Sequence, residues 1–371
     1  MHLQIAIVVS LLGLCITMPV FVRYFACSGF PFWIKLLGFL ICVVIAVSPV
    51  IISRNFADAY GRHFAWIESV VYFIYVFAVI VFSLTFLRDI IWVILSWFKW
   101  APSPFKPAIF NPINWATLVI AFLCALWSLY EGTKVPAYRH ITLTDTKIQT
   151  SRTIVVLSDL HISRTINPDK IKGIVAQTNA LQPDLILLAG DIVDDHPDTI
   201  RNITAILSDL NAKQGVYFVS GNHEFYIGYR TAMDMLSDLG LKSIENRKVQ
   251  ISPDLVLAGV ADIRTTTRLG LPDKTREVLS DAPKSSYTIL ISHSPTPLNL
   301  PFDLQVSGHT HGGQIFPFHI LSWLGNHHLS SGFYPKERIY VSRGAGQWGP
   351  QMRFLAPSEI TVIHLQSQKA F

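Results

Sequence analysis

The chain has 371 residues, 50% of them hydrophobic and only 15% charged, with a mean hydropathy of +0.38. A soluble globular protein carries about 25% charged residues, so the composition argues against an ordinary cytosolic enzyme. Residues 1–140 hold 9 Lys and Arg against 4 Asp and Glu, whereas the remainder holds 21 of each, so the net charge of +5 belongs to the first part and the second, lacking a basic excess, argues against a polynucleotide partner.

Four apolar stretches, at about 3–22, 32–52, 66–87 and 113–130, approach the roughly 20 residues needed to cross about 30 Å of hydrocarbon. The third has no charge between Glu68 and Arg88, and Trp115, Trp127 and Tyr130 flank the fourth as interfacial aromatics do. The first lacks the basic start and small-residue cleavage site of a signal peptide and reads as a retained helix. The run 90–98 is too short to span; it extends the third helix or lies in the interface before a turn at Pro102, Pro104, Pro107 and Pro112. Four spans put the N-terminus and the second part on one side. Arg54, Arg62, Lys134 and Arg139 on that side nearly balance Arg23, Lys35, Arg88, Lys99 and Lys106 on the other, so the orientation stays open. Cys15, Cys27, Cys42 and Cys124 all lie in the first part, which leaves the second without a disulfide or a Cys-based metal site. The expected organisation is a transmembrane domain over 1–131, a linker over 132–151 and a second domain over 152–367.

From Thr153 short β-branched runs alternate with helical segments, and each run ends in polar residues. The run 153–158 ends at Asp159-Leu160-His161, ahead of a helix near 170–180 capped by Asn167-Pro168. The run 184–189 ends at Gly190-Asp191, 215–220 at Gly221-Asn222-His223-Glu224, 288–292 at His293, and 304–307 at Gly308-His309-Thr310-His311. Later strands are expected at 338–342 and 359–365. The carboxyl ends of buried strands are where open α/β sheets place their sites. Asp, Asn and His are hard and borderline ligands that suit Mn, Fe or Zn. One such residue in a loop is ordinarily a cap; five blocks in succession are hard to explain as packing. Asp194, Asp195 and His196 read as helix-start residues, with hydrogen bonding to the ligand side chains as the alternative, and His319, His327 and His328 as loop or surface histidines. Arg343, after a strand, reads as a phosphate contact or a structural ion pair.

In this order D-x-H, G-D, G-N-H-E, a lone His and G-H-T-H resemble the calcineurin-like metallophosphoesterase superfamily over about residues 153–365. The resemblance implies an α/β (α+β) fold, a four-layer double β-sandwich flanked by helices, here preceded by an all-α four-helix transmembrane domain. It also implies two divalent metal ions about 3.5–4 Å apart that clamp a phosphate ester. Carried over residue by residue, Asp159, His161 and His311 hold the first metal, Asn222, His293 and His309 the second, and Asp191 bridges both. His223 takes the family's acid or transition-state position, with Glu224 orienting it. The chemistry agrees: a metal-bound water becomes hydroxide near neutral pH, and the cations neutralise charge on the phosphate oxygens.

The expected function is a membrane-anchored dinuclear-metal phosphoesterase that cleaves phosphate ester or pyrophosphate bonds, integral to a bacterial inner membrane, with its oligomeric state open. The apolar insertion 315–335 reads as a cover over a sheet edge or as an interfacial lip that admits a lipid-linked substrate. Two other classes compete. One is a nuclease or cyclic-nucleotide phosphodiesterase that uses the same metals on a soluble substrate, although no nucleic acid is expected. The other is a scaffold without catalysis, against which the intact ligand set and His223 argue.

Overall fold

Residues 2–55, 65–101 and 107–368 are described by the computed structural model. They divide into two units, Met1–Glu131 with Gly349–Phe354, and Gly132–Trp348 with Leu355–Phe371. Pro102 and Pro104 of the expected turn lie outside the described residues.

The first unit is helical because its sequence offers long apolar runs with few breakers. It contains α1 (His2–Phe21), continued by a π-helical turn (Val22–Ala26), then α2 (Phe32–Asn55), α3 (Ala65–Trp97) and α4 (Pro107–Thr133). Among the described residues three stretches are long and apolar enough to cross a membrane: Ile7–Ala26, Ala65–Trp97 and Pro112–Thr133. The expected fourth, at 32–52, falls on α2, whose stretch Phe32–Ser48 is apolar. The run 90–98 extends α3, which reaches 33 residues. Arg23, Arg88 and Asp89 are paired, as apolar surroundings require. Arg23 Nε lies 3.1 Å from Asp89 Oδ2, and Arg88 Nη1 donates to Asn114 Oδ1 and Thr117 Oγ1, both at 2.9 Å.

The second unit holds two six-stranded mixed sheets. The first has the order β1 (Ala137–Asp145), β12 (Glu359–Ser367), β2 (Arg152–Leu157), β3 (Leu185–Ala189), β4 (Val216–Val219), β5 (Lys242–Ser243). The second has the order β10 (Gly332–Tyr334), β11 (Ile339–Val341), β9 (Leu304–Ser307), β8 (Tyr287–Ile291), β7 (Leu255–Gly259), β6 (Arg247–Ser252). The stretch expected as a linker thus contributes a strand, and only residues 134–136 separate α4 from β1.

Side-chain alternation explains how the sheets are covered. Ile154, Val156, Leu185, Leu187 and Val219 share one core with Leu255, Leu257, Ile289, Ile291 and Val306 of the second sheet. The intervening Val155, Leu157, Ile186, Leu188 and Phe218 pack against Ile171 and Ile174 of α5 (Pro168–Ala180) and Ile200 and Ile203 of α6 (Pro197–Thr204). Asn167 caps α5 as expected, accepting from Asp169 N at 2.9 Å. Strands β2, β3 and β4 run parallel, as do β7, β8 and β9, so each set releases its following loops at a common end.

Candidate metal centre

The loops that follow β2, β3, β4, β8 and β9 carry the residues singled out above. Five of them stand in left-handed backbone: Asp159 (φ 52°), His161 (46°), Asp191 (49°), His309 (70°) and His311 (51°). Each such conformation costs about 1–2 kcal/mol and persists only where the surroundings over-determine it. Close approach also dictates two glycines. A Cβ on Gly221 would lie 2.1 Å from Asp191 Oδ1, and one on Gly308 would lie 2.2 Å from Asp159 Oδ2.

Two ligand groups result. In the first, His161 Nε2 and His311 Nε2 are 2.9 Å apart, and Asp159 Oδ1 lies 3.9 Å and 3.5 Å from them. In the second, Asp191, His293 and His309 converge, with Asn222 Oδ1 2.9 Å from His309 Nδ1. Asp191 Oδ2 stands between the groups, 3.0 Å from His293 Nε2 and 3.7 Å from His161 Nε2. The His293 Nδ1–H donates to Ala189 O at 2.8 Å, which turns Nε2 towards the carboxylates; this buried Nε2 has no hydrogen-bond partner. A buried, unsatisfied imidazole nitrogen facing a carboxylate oxygen is the environment a cation completes. The donors are nitrogen and oxygen only, which fits two divalent ions of the Mn, Fe or Zn kind.

The electrostatics agree with a site that wants positive charge. Burial pushes the His293 pKa down, but Asp191 and Asp159 hold it well above the ordinary histidine range. Burial alone would raise the Asp191 carboxyl, yet His293, His223 and His161 hold it well below its usual range. His309 goes the other way, lowered to about 4 by burial and by the charge of His293.

Asp194 corrects an expectation. It is not a helix-start residue: α6 begins at Pro197 and its N-cap is His196, while Asp195 Oδ2 accepts from Arg164 N at 2.6 Å. Asp194 Oδ1 instead accepts from His161 Nδ1 at 2.6 Å and from His223 Nδ1 at 2.7 Å. One carboxylate thereby fixes two rings and leaves both Nε2 atoms facing the centre. His223 Nε2 lies 4.0 Å from Asp191 Oδ2. Burial lowers the His223 pKa, but Asp194 and Asp191 outweigh it and raise the value to about 9. A second correction concerns Glu224, which orients loops and not the imidazole. Its carboxylate accepts the N–H groups of Ile192 and Gly221, each at 2.7 Å, and of Asp191 and Val193, each at 3.1 Å.

Arg343 lays its stem along the His311 loop, its Cγ 3.1 Å from where a Gly312 Cβ would be. His319 Nε2 donates to Leu355 O at 3.3 Å, and His327 and His328 are exposed. Arg264, absent from the sequence reading, lies at the centre's edge on α9 (Ile263–Arg268), with Nη1 3.5 Å from His309 Nε2 and 2.7 Å from Asn326 Oδ1. A helix-borne arginine carries no local signal of this kind. Asp194 did carry one, because only the residue directly before Pro197 can cap α6.

Comparison with known proteins follows the same lines. Residues 152–313 match the family of calcineurin-like phosphoesterases. An uncharacterized metallophosphoesterase of Campylobacter jejuni is 32% identical over 260 residues, which are 68% of this chain and 69% of that protein. One of Helicobacter pylori is 34% identical over 255 residues, 66% of this chain and 68% of that protein. A zebrafish (Danio rerio) transmembrane protein with metallophosphoesterase domain is 28% identical over 269 residues, covering 67% and 62% of the two chains.

Proposed function

The chain belongs to the calcineurin-like metallophosphoesterase family and is a metal-dependent phosphoesterase, and from that premise we propose that it cleaves a phosphate ester or pyrophosphate at a membrane surface. In this reading Asp159, His161 and His311 hold one divalent cation, Asn222, His293 and His309 a second, and Asp191 both. When bound, the cations supply a nucleophile at neutral pH and neutralise the phosphate oxygens. The observation that carries the reading is the single oxygen Asp191 Oδ2, 3.0 Å from His293 Nε2 and 3.7 Å from His161 Nε2.

His223 supplies the proton to the departing oxygen. Its Nδ1–H is committed to Asp194 at 2.7 Å, so Nε2 is the atom that faces the substrate. The Asp194 carboxylate beside it works against the lowering by burial and favours the protonated ring. Glu224 holds the Asp191 and Asn222 loops in register through their amides.

A lipid-linked substrate is the finer reading, supported by α11 (Phe318–Gly325). None of its residues is buried; Ile320, Leu321 and Leu324 are 55–57% exposed. A surface helix ordinarily turns its apolar side chains inward. This one is pinned by polar bonds instead: Ser322 Oγ donates to Thr310 O and Arg264 Nη2 to Gly325 O, each at 3.2 Å. The apolar side chains are left outward beside the His309–His311 loop, in a stretch (315–335) without a charged residue. A bilayer accepts such a surface, each buried side chain contributing roughly 1.5–3 kcal/mol. The membrane in question is a bacterial inner membrane, and α2 decides the topology: if it crosses, the N-terminus and the second unit share a side.

The test is elemental analysis of the full chain in detergent after reconstitution with Mn, Fe or Zn, with a screen of phosphomonoesters, phosphodiesters and lipid pyrophosphates. Two metal equivalents with turnover are expected. One equivalent or fewer, without turnover of any ester, refutes the reading.

A further inference from the structure

Trp348 is a large aromatic residue left 46% exposed, with its ring centroid 6.3 Å from that of His223 at an interplanar angle of 73°. Exposure here does not come from slack in the chain, because the backbone before it is pinned residue by residue. Ala345 N donates to Ser158 O at 2.9 Å and Gly346 N to Asp159 O at 3.0 Å, which ties this segment to the loop bearing a candidate ligand. Gln347 Oε1 accepts from the buried Lys170 Nζ at 2.5 Å.

Trp348 itself is gripped at two points. The Gln314 side chain donates from Nε2 to Trp348 O at 2.8 Å and accepts from Trp348 N at 3.0 Å. Gln314 follows the Gly308–Gly313 block, is nearly buried, and stands at φ 51°, a conformation uncommon for a residue with a Cβ. A strained, buried glutamine therefore reads both backbone groups of a residue whose indole faces water. That arrangement has no use in packing an indole, since nearly half of it is unpacked. It has a use in holding one still.

We propose that Trp348 is the wall of the leaving-group subsite and favours a leaving group that carries a planar ring, with Gln314 as the positioning residue that sets the indole. The inference rests on the phosphoesterase reading with His223 as proton donor. Whatever departs must bring its oxygen to His223 Nε2, and so comes up beside the Trp348 ring. An indole face stacks on a planar ring and gains much less from a branched alkyl group of similar size. Tyr226, 5.1 Å from the same imidazole, lends a second aromatic border. The planar ring is the shared chemistry of aryl and nucleobase-bearing esters.

The experiment compares two methyl phosphodiesters whose leaving groups are similar in acidity, phenol and hexafluoroisopropanol, on the metal-reconstituted full chain. The readout is the ratio of their KM values, measured with kcat and metal content. Trp348→Leu should lower the preference for the phenyl ester about tenfold, through KM, the scale of one lost aromatic stack. Trp348→Phe should restore most of it. Gln314→Glu, which keeps the acceptor for Trp348 N but loses the donor to Trp348 O, should shift the ratio in the same direction by less. A bis-nucleoside diester tested beside the phenyl ester tells a nucleobase preference from a general aryl one. If Trp348→Leu changes both KM values alike, or lowers metal content, the residue is structural and the proposal is overturned. A parent enzyme that turns over other phosphate esters but neither of these overturns this inference alone, whereas one that turns over no ester of any class overturns the phosphoesterase reading with it.

Discussion

The loops around Asp159 and Asp191 and the helix α11 depart from the usual partition of residues in opposite senses. In the loops, ionisable side chains are buried: Asp159 and His293 are fully covered, and His293 Nε2 lacks a hydrogen-bond partner. In α11, Ile320, Leu321 and Leu324 are exposed while the polar Ser322 points to the protein. Buried charge without a full complement of partners is costly, and so is apolar surface left in water. In the proposed reading each region is completed from outside, the loops by cations and α11 by an apolar medium. The buried pair Arg152–Asp254 is the contrasting case. The Asp254 carboxylate accepts from Arg152 Nη2 at 2.7 Å, Ser252 Oγ at 2.6 Å and Gln149 N at 2.8 Å, so its oxygens are met within the protein.

The largest effect that would sharpen this contrast is expected at Asp191. Asp191→Ala should lower kcat by about 10³-fold or more, the scale of losing metal-borne charge stabilisation, and elemental analysis should show both metals weakened. Two tightly held metals in that variant would break the bridging assignment. His223→Asn should keep the metals while reducing kcat by about 10²–10⁴-fold, with the smaller loss for good leaving groups. An equal loss for nitrophenyl and alkyl esters would argue against proton donation.

Asp194→Ala comes next. It frees the Nδ1 atoms of both His161 and His223, so metal affinity and kcat should each fall about 10–100-fold, as for other partners of ligand histidines. A loss in kcat alone would mean that only the His223 contact matters.

Asp254→Asn should cost about 3 kcal/mol of stability, as broken buried pairs do, with metal content retained. Burial raises the Asp254 carboxyl, but Arg152, Ser252 and the amides of Gln149 and Thr150 hold it well below its ordinary range. Because the folded-state value is depressed, the stabilisation is complete above the ordinary carboxylate range and is lost as pH falls through the lower native value. Unfolding curves of the parent should show that acid limb, and in those of Asp254→Asn it should be smaller. The smallest effect is expected at α11: Ile320→Ser with Leu324→Ser should raise KM for a lipid phosphate in micelles about fivefold, the loss of two partly buried side chains, without lowering Tm. A fall in Tm would make α11 a structural cover.

How much was legible follows from how local each signal is. The runs 153–158, 184–189, 288–292 and 304–307 are strands because β-branched and apolar residues are concentrated there, and the observed β2, β3, β8 and β9 agree within a residue or two. The pair β6–β7 was missed: β6 is only partly buried, and its polar sequence RKVQIS carries a weak alternation. The strand β1 was missed because its exposed residues read as a tether.

The sequence by itself singled out the residues that the structure gathers at the candidate centre, since ligand types placed directly after strands are read from neighbours in the chain. It also determined the helical character of the first unit, which long apolar runs dictate without help from packing. Only the tertiary structure decided that Asp194 grips His161 and His223, that Glu224 serves the backbone of two loops, that Arg264 stands behind His309, and that Gln314 clamps Trp348. Those pairs lie up to 45 residues apart in the chain. Nothing in either member encodes the other; they meet because two sheets, packed through Ile154, Leu187, Leu257 and Ile291, bring the ends of their parallel strands together.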